Sequence, residues 1–318
     1  MLIYNLAPNK SYPDYFSSII TIGSFDGIHR GHDKIIKETK KLAKQKGKPW
    51  GIITFSPTPQ VLLYRDFRFL LTTDEEKWII LEKYSPSFVG IIKFTRKIQN
   101  LMPEGFFVNY IVKPLRPQLV VVGPDHRFGK NSSGDIKLLK KLEVKYKFTL
   151  KILRHYKYHR IPVQSTRIRE LLILGNIKRA NELLGRYYSL IGTIKAGHGI
   201  ARKLGFPTIN IQIKNKYKLI PPDGVYFIRA GLLNKIYYGV MHIGISPTVS
   251  ELFRVPKRRK IEVYLLNYRA NEKINLYGQK ISLEIIDRLR EERKFSNTED
   301  LQKQIAKDVS QAYKLIYG

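Results

Sequence analysis

Cysteine is absent from the 318 residues of this chain. Its absence excludes a disulfide framework, a thiol nucleophile, and zinc or iron–sulfur sites that are built from thiolates. It also agrees with a reducing compartment, and we expect a cytoplasmic protein. The first residues, MLIYNLAPNKSYPDYF, have no apolar core behind a basic head, which argues against a secretory signal. Apolar runs fall short of the roughly 18 residues that span a bilayer, so we expect no membrane partner.

Acidic residues are few, because only 26 Asp+Glu stand against 57 Lys+Arg and leave a formal net charge of +31. A field of this size attracts polyanions, so nonspecific binding to nucleic acid is expected in any case. The chain carries no helix-turn-helix, zinc-finger, KH or RRM signature. A basic nucleic-acid-binding protein is therefore an alternative that depends on charge alone.

Short apolar runs in the first half of the chain predict a buried parallel sheet, because they are rich in β-branched residues and lack polar alternation. The runs lie at 19–23, 50–55, 88–94, 119–123 and 149–153. Apolar residues at helical spacing, with lysines opposite, predict a helix between the first two runs that ends at Gly47. This alternation indicates a doubly wound α/β domain whose ligands bind at the carboxyl ends of the strands.

Strand-like segments dominate the second half of the chain. They lie at 189–197, 208–213, 224–232, 236–244, 260–268 and 280–289. Because they are closely spaced and have no helices between them, they predict an antiparallel barrel or sandwich. Two short helices at 163–185 precede them, and a last helix at 297–316 has one apolar stripe. We therefore expect two domains, 1–186 and 187–318.

The segment GSFDGIHRGH follows the first predicted strand and opens the first predicted helix. Gly23, Gly27 and Gly31 let the backbone turn and approach a ligand closely. The helix start offers unpaired N–H groups and the positive end of its dipole, which suits an anion. His29 and His32 are three residues apart and can share a face, from which they can donate hydrogen bonds to phosphate oxygens. The segment therefore predicts phosphate chemistry.

The histidine pair resembles the HxGH signature of the nucleotidyltransferase superfamily, and the Phe25-Asp26-Gly27 before it narrows the resemblance to bacterial flavin adenylyltransferases. GPDHRFGKNSSGD is similar to their G-x-D-F-R-F-G segment, and STRIR to their phosphate-binding S-S-T-R-I-R. The resemblance implies catalytic roles for His29 and His32. It implies ATP contacts for Gly23, Phe25, Asp26, Gly27, Ser165, Thr166 and Arg167, and flavin contacts for Asp125, Arg127 and Phe128. Ser165 or Thr166 can also simply cap the helix that follows.

Three positions depart from the adenylyltransferase pattern. The segment TFSPTP is similar to the family's T-F-x-P-H-P, with Thr58 in place of the histidine. His126 stands where phenylalanine is usual, and Gln164 replaces a serine. These departures leave open a protein in which this domain has lost its activity.

The segment LGFPTIN in the second half is similar to the G-F-P-T-A-N motif of riboflavin kinases. Thr208 and Asn210 are two apart on a predicted strand, so they point to one face. The resemblance implies that both hold Mg²⁺ and ATP phosphates, and oxygen ligands suit this hard ion. The glycine-rich stretch before the motif implies further ATP contacts, from Gly197, Gly199, Lys203 and Gly205. Ala201 stands where that family usually has glycine.

Glu262 belongs to KIEVYLLNY, which is similar to the strand that carries the catalytic base of riboflavin kinases. A carboxylate there could accept the proton of the riboflavin 5′-hydroxyl. By the same resemblance, Arg290 and Phe295 close over the flavin. MHIGISPTV is similar to that family's N-I-G-x-x-P-T, with His242 in place of asparagine.

The motifs occur in the same order as in the bifunctional bacterial riboflavin kinase/FAD synthetase family, which the chain resembles over about residues 15–314. The resemblance implies an N-terminal doubly wound nucleotidyltransferase domain and a C-terminal β-barrel kinase domain with a terminal helix. It implies two ATP-dependent reactions with Mg²⁺ as cofactor: riboflavin to FMN, then FMN to FAD with release of pyrophosphate. A kinase-only protein and a nucleic-acid-binding protein are the alternatives, and the sequence does not indicate an oligomeric state.

Overall fold

A computed structural model of the chain describes residues 2–8, 10–64, 69–196, 201, 204–245, 259–268 and 276–317. The chain divides into two compact units, Met1–Ser165 and Thr166–Gly318. Each unit has its own sheet and its own buried apolar residues.

The first unit contains a parallel sheet of six strands in the order β1-β4-β3-β2-β5-β6. Its strands are β1 (Leu2–Asn5), β2 (Ile19–Ile22), β3 (Trp50–Ser56), β4 (Phe88–Lys93), β5 (Leu119–Val122) and β6 (Thr149–Ile152). The five predicted strands and their parallel arrangement are confirmed. A two-stranded hairpin follows, formed by β7 (Lys157–Tyr158) and β8 (Ile161–Pro162).

Helices cover the sheet on both faces, since successive residues of one strand enter two different apolar clusters. Ile20 packs in one cluster and Ile19 in the other. The helices are α1 (Arg30–Lys46), α2 (Gln60–Leu63), α3 (Asp74–Glu82), α4 (Arg96–Gln99), α5 (Pro103–Phe107), α6 (Lys113–Leu115) and α7 (Ile136–Tyr146). A π-helical stretch, Val108–Val112, joins α5 to α6. Helix α1 ends at Gly47 in the left-handed region, as predicted.

The second unit contains a closed antiparallel barrel in the order β10-β13-β12-β11-β14-β9. Its strands are β9 (Tyr188–Lys195), β10 (Ile209–Gln212), β11 (Gly224–Leu232), β12 (Lys235–Gly244), β13 (Lys260–Leu265) and β14 (Lys280–Glu291). Its helices are α8, which begins at Ser165 and ends at Ile173, α9 (Ile177–Leu184) and α10 (Thr298–Tyr317). The six predicted strand segments, the two short helices and the terminal helix are confirmed.

Helix α10 packs on one side of the barrel wall through its apolar stripe. Val309 and Ala312 of the helix join a cluster with Val225 and Val240 of the wall. Residues directly opposite each other on neighbouring strands point to the same side of the wall. The residues opposite Val225 and Val240 therefore point to the side of the wall that α10 covers. Within the described part of the chain, no helix combines the length and apolarity needed to cross a membrane.

Candidate active sites

The loop between β2 and α1 brings two histidines into contact. His29 is the N-cap of α1, and its Nδ1 accepts a hydrogen bond from the His32 backbone N–H at 3.3 Å. The two imidazole rings stack with centroids 3.8 Å apart and an interplanar angle of 12°. Because Nδ1 of His29 is an acceptor, the proton of the neutral ring lies on Nε2, which can donate to a ligand.

The residues around the histidines fix this arrangement. A Cβ at Gly31 would lie 3.1 Å from Nδ1 of His29, so a side chain at position 31 would press on the ring. Phe25 packs edge-on against His32, with ring centroids 5.2 Å apart. Phe25 and Ile28 both have positive φ angles, 48° and 38°. Such angles are unfavourable for residues with a side chain, so the backbone of the loop is strained at both positions.

Asp26 and Gly27 position this loop against a distant segment of the chain. The Asp26 carboxylate accepts hydrogen bonds at 3.0 Å from the backbone N–H groups of Leu71 and Thr72. The Gly27 N–H donates to the Thr72 hydroxyl at 3.0 Å, and a Cβ at Gly27 would lie 2.7 Å from Leu71. Through these hydrogen bonds, Asp26 and Gly27 both anchor the loop. Their contact with ATP stays a prediction.

A pocket of about 480 Å³ opens at the carboxyl ends of the strands, where the α/β topology predicts a ligand site. Its lining includes Gly23, Phe25, His29, His32 and Ser165. Phe55, Phe94, Phe106 and Phe128 form an aromatic part of the wall. The pocket thus combines histidine and serine side chains with an aromatic surface that suits a flat ring.

The three residues proposed to contact flavin in this unit all line the pocket. Asp125 Oδ1 lies 3.4 Å from Nε2 of His155. Arg127 Nη1 lies 3.6 Å from an oxygen of Asp135. Phe128 is buried, and its backbone pairs with Gly134 through two hydrogen bonds.

His126 lies between these residues and has an unusual environment. Its ring stacks on Phe128 with centroids 5.6 Å apart, and its Nε2 is buried with no hydrogen-bond partner among the residues described. Burial lowers the pKa of His126 to about 4, so the ring is neutral at physiological pH. A neutral aromatic ring at this position resembles the usual phenylalanine more than a charged histidine would.

The start of α8 carries the STRIR segment, whose contact with phosphate stays a prediction. Ser165 lines the pocket, and its hydroxyl donates to the Asp26 carbonyl at 2.9 Å, a bond within the first compact unit. Thr166 and Arg167 follow in the first turn of α8, in the second compact unit. The half-exposed Arg167 guanidinium lies 2.9 Å from Glu170 of the same helix.

Thr58, which replaces the expected histidine, is bonded to a buried lysine that the sequence did not reveal. Lys77 Nζ donates to the Thr58 hydroxyl at 3.3 Å and to the Phe55 carbonyl at 3.2 Å. Burial lowers the pKa of Lys77, and the carboxylates of Asp74 and Asp26 oppose this effect. Thr58 is buried, and the next residue, Pro59, lines the pocket.

The barrel of the second unit brings Glu262 into a row of polar residues. Glu262 lies directly opposite Asn210 of β10 on one side and His242 of β12 on the other. Opposite residues share a face, so the three side chains lie on the side of the wall that α10 covers. All three are half-buried.

A carboxylate continues this row beyond His242. Nε2 of His242 lies 3.1 Å from Oε1 of Glu292, the residue after β14. The Glu292 carboxylate lies over Gly244, where a Cβ would overlap it. The sequence singled out His242 only as a departure and gave no signal for Glu292.

Arg290 and Phe295 lie near each other, with the guanidinium 5.8 Å from the ring centroid. Arg290 also forms a two-pronged pair with Asp308 of α10, with Nη2–Oδ2 at 2.8 Å and Nε–Oδ1 at 3.0 Å. Asp308 is only 3% exposed, so this pair fastens β14 to α10. Closure of Arg290 and Phe295 over a flavin stays a prediction.

Thr208 and Asn210 have the donor chemistry that Mg²⁺ requires. They offer a hydroxyl and an amide oxygen two residues apart, and the carboxylate of Glu262 stands on the strand beside Asn210. Oxygen ligands of this kind suit an ion that shares its coordination with phosphates and water. Gly205 has a positive φ of 86° with open space around it. Gly197, Gly199 and Lys203 lie outside the described residues.

The fold and the two sites define a nucleotide-dependent transferase with an α/β nucleotidyltransferase-type unit and a β-barrel unit. The sequence profile of the FAD synthetase family matches residues 13–167, and that of the riboflavin kinase family matches residues 184–316. The chain belongs to the bifunctional riboflavin kinase/FMN adenylyltransferase family.

Full-length relatives carry that name. The protein of Bacillus subtilis (strain 168) is 34% identical over 300 residues, which cover 93% of this chain and 91% of the relative. The protein of Escherichia coli (strain K12) is 31% identical over 302 residues, covering 94% and 93%. That of Buchnera aphidicola subsp. Schizaphis graminum (strain Sg) is 33% identical over 296 residues, covering 92% of each chain.

A solved structure has the same fold along the whole chain. It is a crystal structure from Streptococcus pneumoniae named a macrolide-efflux protein, with a TM-score of 0.84 and 23% sequence identity. The likeness covers 98% of this chain and 99% of that one. At this identity the likeness shows the fold alone.

Proposed function

We propose that this chain makes FAD from riboflavin in two ATP-dependent steps. Residues 187–318 phosphorylate riboflavin to FMN, and residues 1–186 join FMN to the AMP part of a second ATP. The observation that carries the proposal is the stacked pair of His29 and His32 at the N-terminus of α1, on the wall of an aromatic-lined pocket. Full-length similarity to relatives named for both activities supports the pairing of the two steps.

In adenylyl transfer, an oxygen of the FMN phosphate attacks the α-phosphorus of ATP, and the bond to the pyrophosphate leaving group breaks. Negative charge grows on the α-phosphate and on pyrophosphate. The His29 and His32 side chains lie at the N-terminus of α1, where the positive end of the helix dipole favours anions, and they would donate hydrogen bonds to these oxygens. Phe128 and the other aromatic side chains of the wall would hold the flavin ring, and Asp125 and Arg127 its polar edge.

The second half of the ATP site in this proposal comes from the STRIR segment. Ser165 lies on the pocket wall, and its hydroxyl donates to the carbonyl of Asp26 in the histidine loop. Thr166 and Arg167 would supply a hydroxyl and a guanidinium to the phosphates. Preserved histidines and a formed pocket support a working adenylyltransferase despite the changes at Thr58, His126 and Gln164.

In the kinase step, Glu262 would accept the proton of the riboflavin 5′-hydroxyl while that oxygen bonds to the γ-phosphorus of ATP and ADP leaves. Thr208 and Asn210 would hold Mg²⁺, which when bound neutralises charge on the ATP phosphates. Asn210 and Glu262 face each other across adjacent strands, which supports a shared site for metal, phosphate and base.

Variants that separate the two steps test this proposal. We expect His29→Asn with His32→Asn to abolish FAD formation from FMN and to leave riboflavin phosphorylation within about twofold, because each step has its own site. We expect Glu262→Gln to lower FMN formation by about 100-fold or more, the scale of a general base, and to leave FAD formation from supplied FMN intact. Chromatography of the flavin products measures both. Equal loss of both activities in either variant would contradict separate sites.

A further inference from the structure

The row of polar residues on the barrel wall includes two groups that the proposed kinase step does not use. His242 lies directly opposite Glu262, and its Nε2 is 3.1 Å from Glu292. We propose that His242 and Glu292 act together as positioning residues for Glu262, the base of riboflavin phosphorylation. This inference rests on the kinase activity proposed above.

The strand register places the imidazole beside the base. Directly opposite residues on antiparallel strands have Cβ atoms about 4.5–5.5 Å apart, so the side chains of His242 and Glu262 pack against each other. Asn210 packs on the other side of Glu262 in the same way. The carboxylate of Glu262 therefore stands between an amide that would face the metal and an imidazole.

Glu292 fixes the orientation of that imidazole. An ionised carboxylate can only accept hydrogen bonds, so Nε2 of His242 is the donor in this pair. The two side chains are 23% and 19% exposed, so the pair is shielded enough from water to hold one geometry. An imidazole ring held in one orientation restricts the rotamers that the neighbouring Glu262 side chain can adopt.

The backbone at Gly244 is shaped to admit Glu292. Gly244 is two residues beyond His242 on β12, hence on the same side of the wall, and a Cβ there would overlap the Glu292 carboxylate. Gly244→Ala would displace Glu292 from His242 while it keeps both functional groups in the chain. The His242–Glu292 pair can therefore be broken by a substitution at any of three positions, which are His242, Glu292 and Gly244.

The test compares steady-state kinetics of riboflavin phosphorylation by the full-length protein and its variants. We expect His242→Leu, Glu292→Leu and Gly244→Ala to lower kcat about 10-fold or more, because a misplaced catalytic group costs rate. The KM for riboflavin should stay within about twofold, because neither side chain is assigned to the flavin. His242→Gln keeps an N–H donor at a similar reach toward Glu292 and should recover most of kcat.

Two controls separate the possible failures. Each variant should keep its KM for riboflavin within about twofold of the wild type, which shows that its barrel is folded, and should form FAD from supplied FMN at the wild-type rate, because that proposed step uses the other unit. Ile236→Ala, at a position 68% exposed on the same strand, should leave both activities unchanged. A normal kcat in His242→Leu, or no recovery in His242→Gln, would overturn the positioning role while Glu262→Gln remains inactive. A fully active Glu262→Gln would overturn the proposed base itself.

Discussion

His29 uses its two ring nitrogens for different purposes. Nδ1 caps α1 by accepting the His32 N–H, so Nε2 carries the proton of the neutral ring and is its donor. A histidine pair three residues apart at a helix start could be placed on one face from the sequence, and the stacked rings confirm that placement. The bonds from Asp26 to Leu71 and Thr72 could not be predicted, because they join segments about 45 residues apart and no local spacing marks them.

Lys77 shows a second limit at the scale of single residues. It is fully buried in a helix whose sequence, DEEKWIILE, gives no sign that its lysine points inward. Lysine is almost never buried unless it is paired, so composition alone predicts an exposed side chain. The hydrogen bonds to Thr58 and Phe55, together with the carboxylate of Asp74, supply the partners that make burial possible.

His126 should make the first unit sensitive to acid. Its folded pKa of about 4 lies below the ordinary 6.5, so between those values the unfolded chain binds a proton that the folded chain does not. Stability therefore falls as pH drops through this window, and His126→Phe should remove about 1 to 2 kcal/mol of the loss between pH 7 and pH 5.

Urea unfolding at pH 7 and pH 5 measures this difference. Both tryptophans, Trp50 and Trp78, belong to the first unit, so tryptophan fluorescence reports on the part of the chain that contains His126. If the variant and the wild type lose the same stability between these pH values, His126 is not the neutral buried group described above.

At the scale of elements, the fully buried strands could be predicted, whereas three strands with exposed residues, β1, β7 and β8, could not. The fully buried β2 and β5 are short runs of β-branched residues with no polar interruption. By contrast, β1 lies at the edge of the sheet with Leu2 and Ile3 56% and 47% exposed, and the β7–β8 hairpin has two residues per strand. Such strands form because a neighbouring strand is available to pair with them. The local sequence pattern contains no information about that neighbour.

The Arg290–Asp308 ion pair links α10 to β14, beside the apolar contacts between them. Asp308→Ala would leave the Arg290 guanidinium, whose side chain is 20% exposed, without its buried carboxylate. We expect the second unit to lose about 2 to 3 kcal/mol, less than for a fully buried pair because Arg290 reaches some water. Hydrogen exchange of the α10 amides should accelerate accordingly.

Lys307→Ala, at the exposed neighbouring position, provides the matched control and should exchange like the wild type. Protection of α10 that is unchanged in Asp308→Ala would show that the apolar contacts of Val309 and Ala312 hold the helix without the ion pair.

At the scale of the whole molecule, the order of motifs was the most informative feature of the sequence. The histidine loop, the STRIR segment, LGFPTIN and the Glu262 strand follow one another as in the family to which the chain belongs. The charge of +31 was not informative in the same way, because a field that attracts ATP also attracts any polyanion. Pairs such as His242 with Glu292 emerge only in the folded sheet, where β12 and the end of β14 lie on the two sides of β11.

The central claim is that one chain carries out both steps, and the most direct test is a product analysis. Purified protein is incubated with riboflavin, excess ATP and Mg²⁺, and the flavins are separated by chromatography with fluorescence detection. We predict that FMN forms first and is then converted to FAD. Accumulation of FMN without FAD would contradict the proposed adenylyl transfer at His29 and His32, and unchanged riboflavin would contradict the proposed function as a whole.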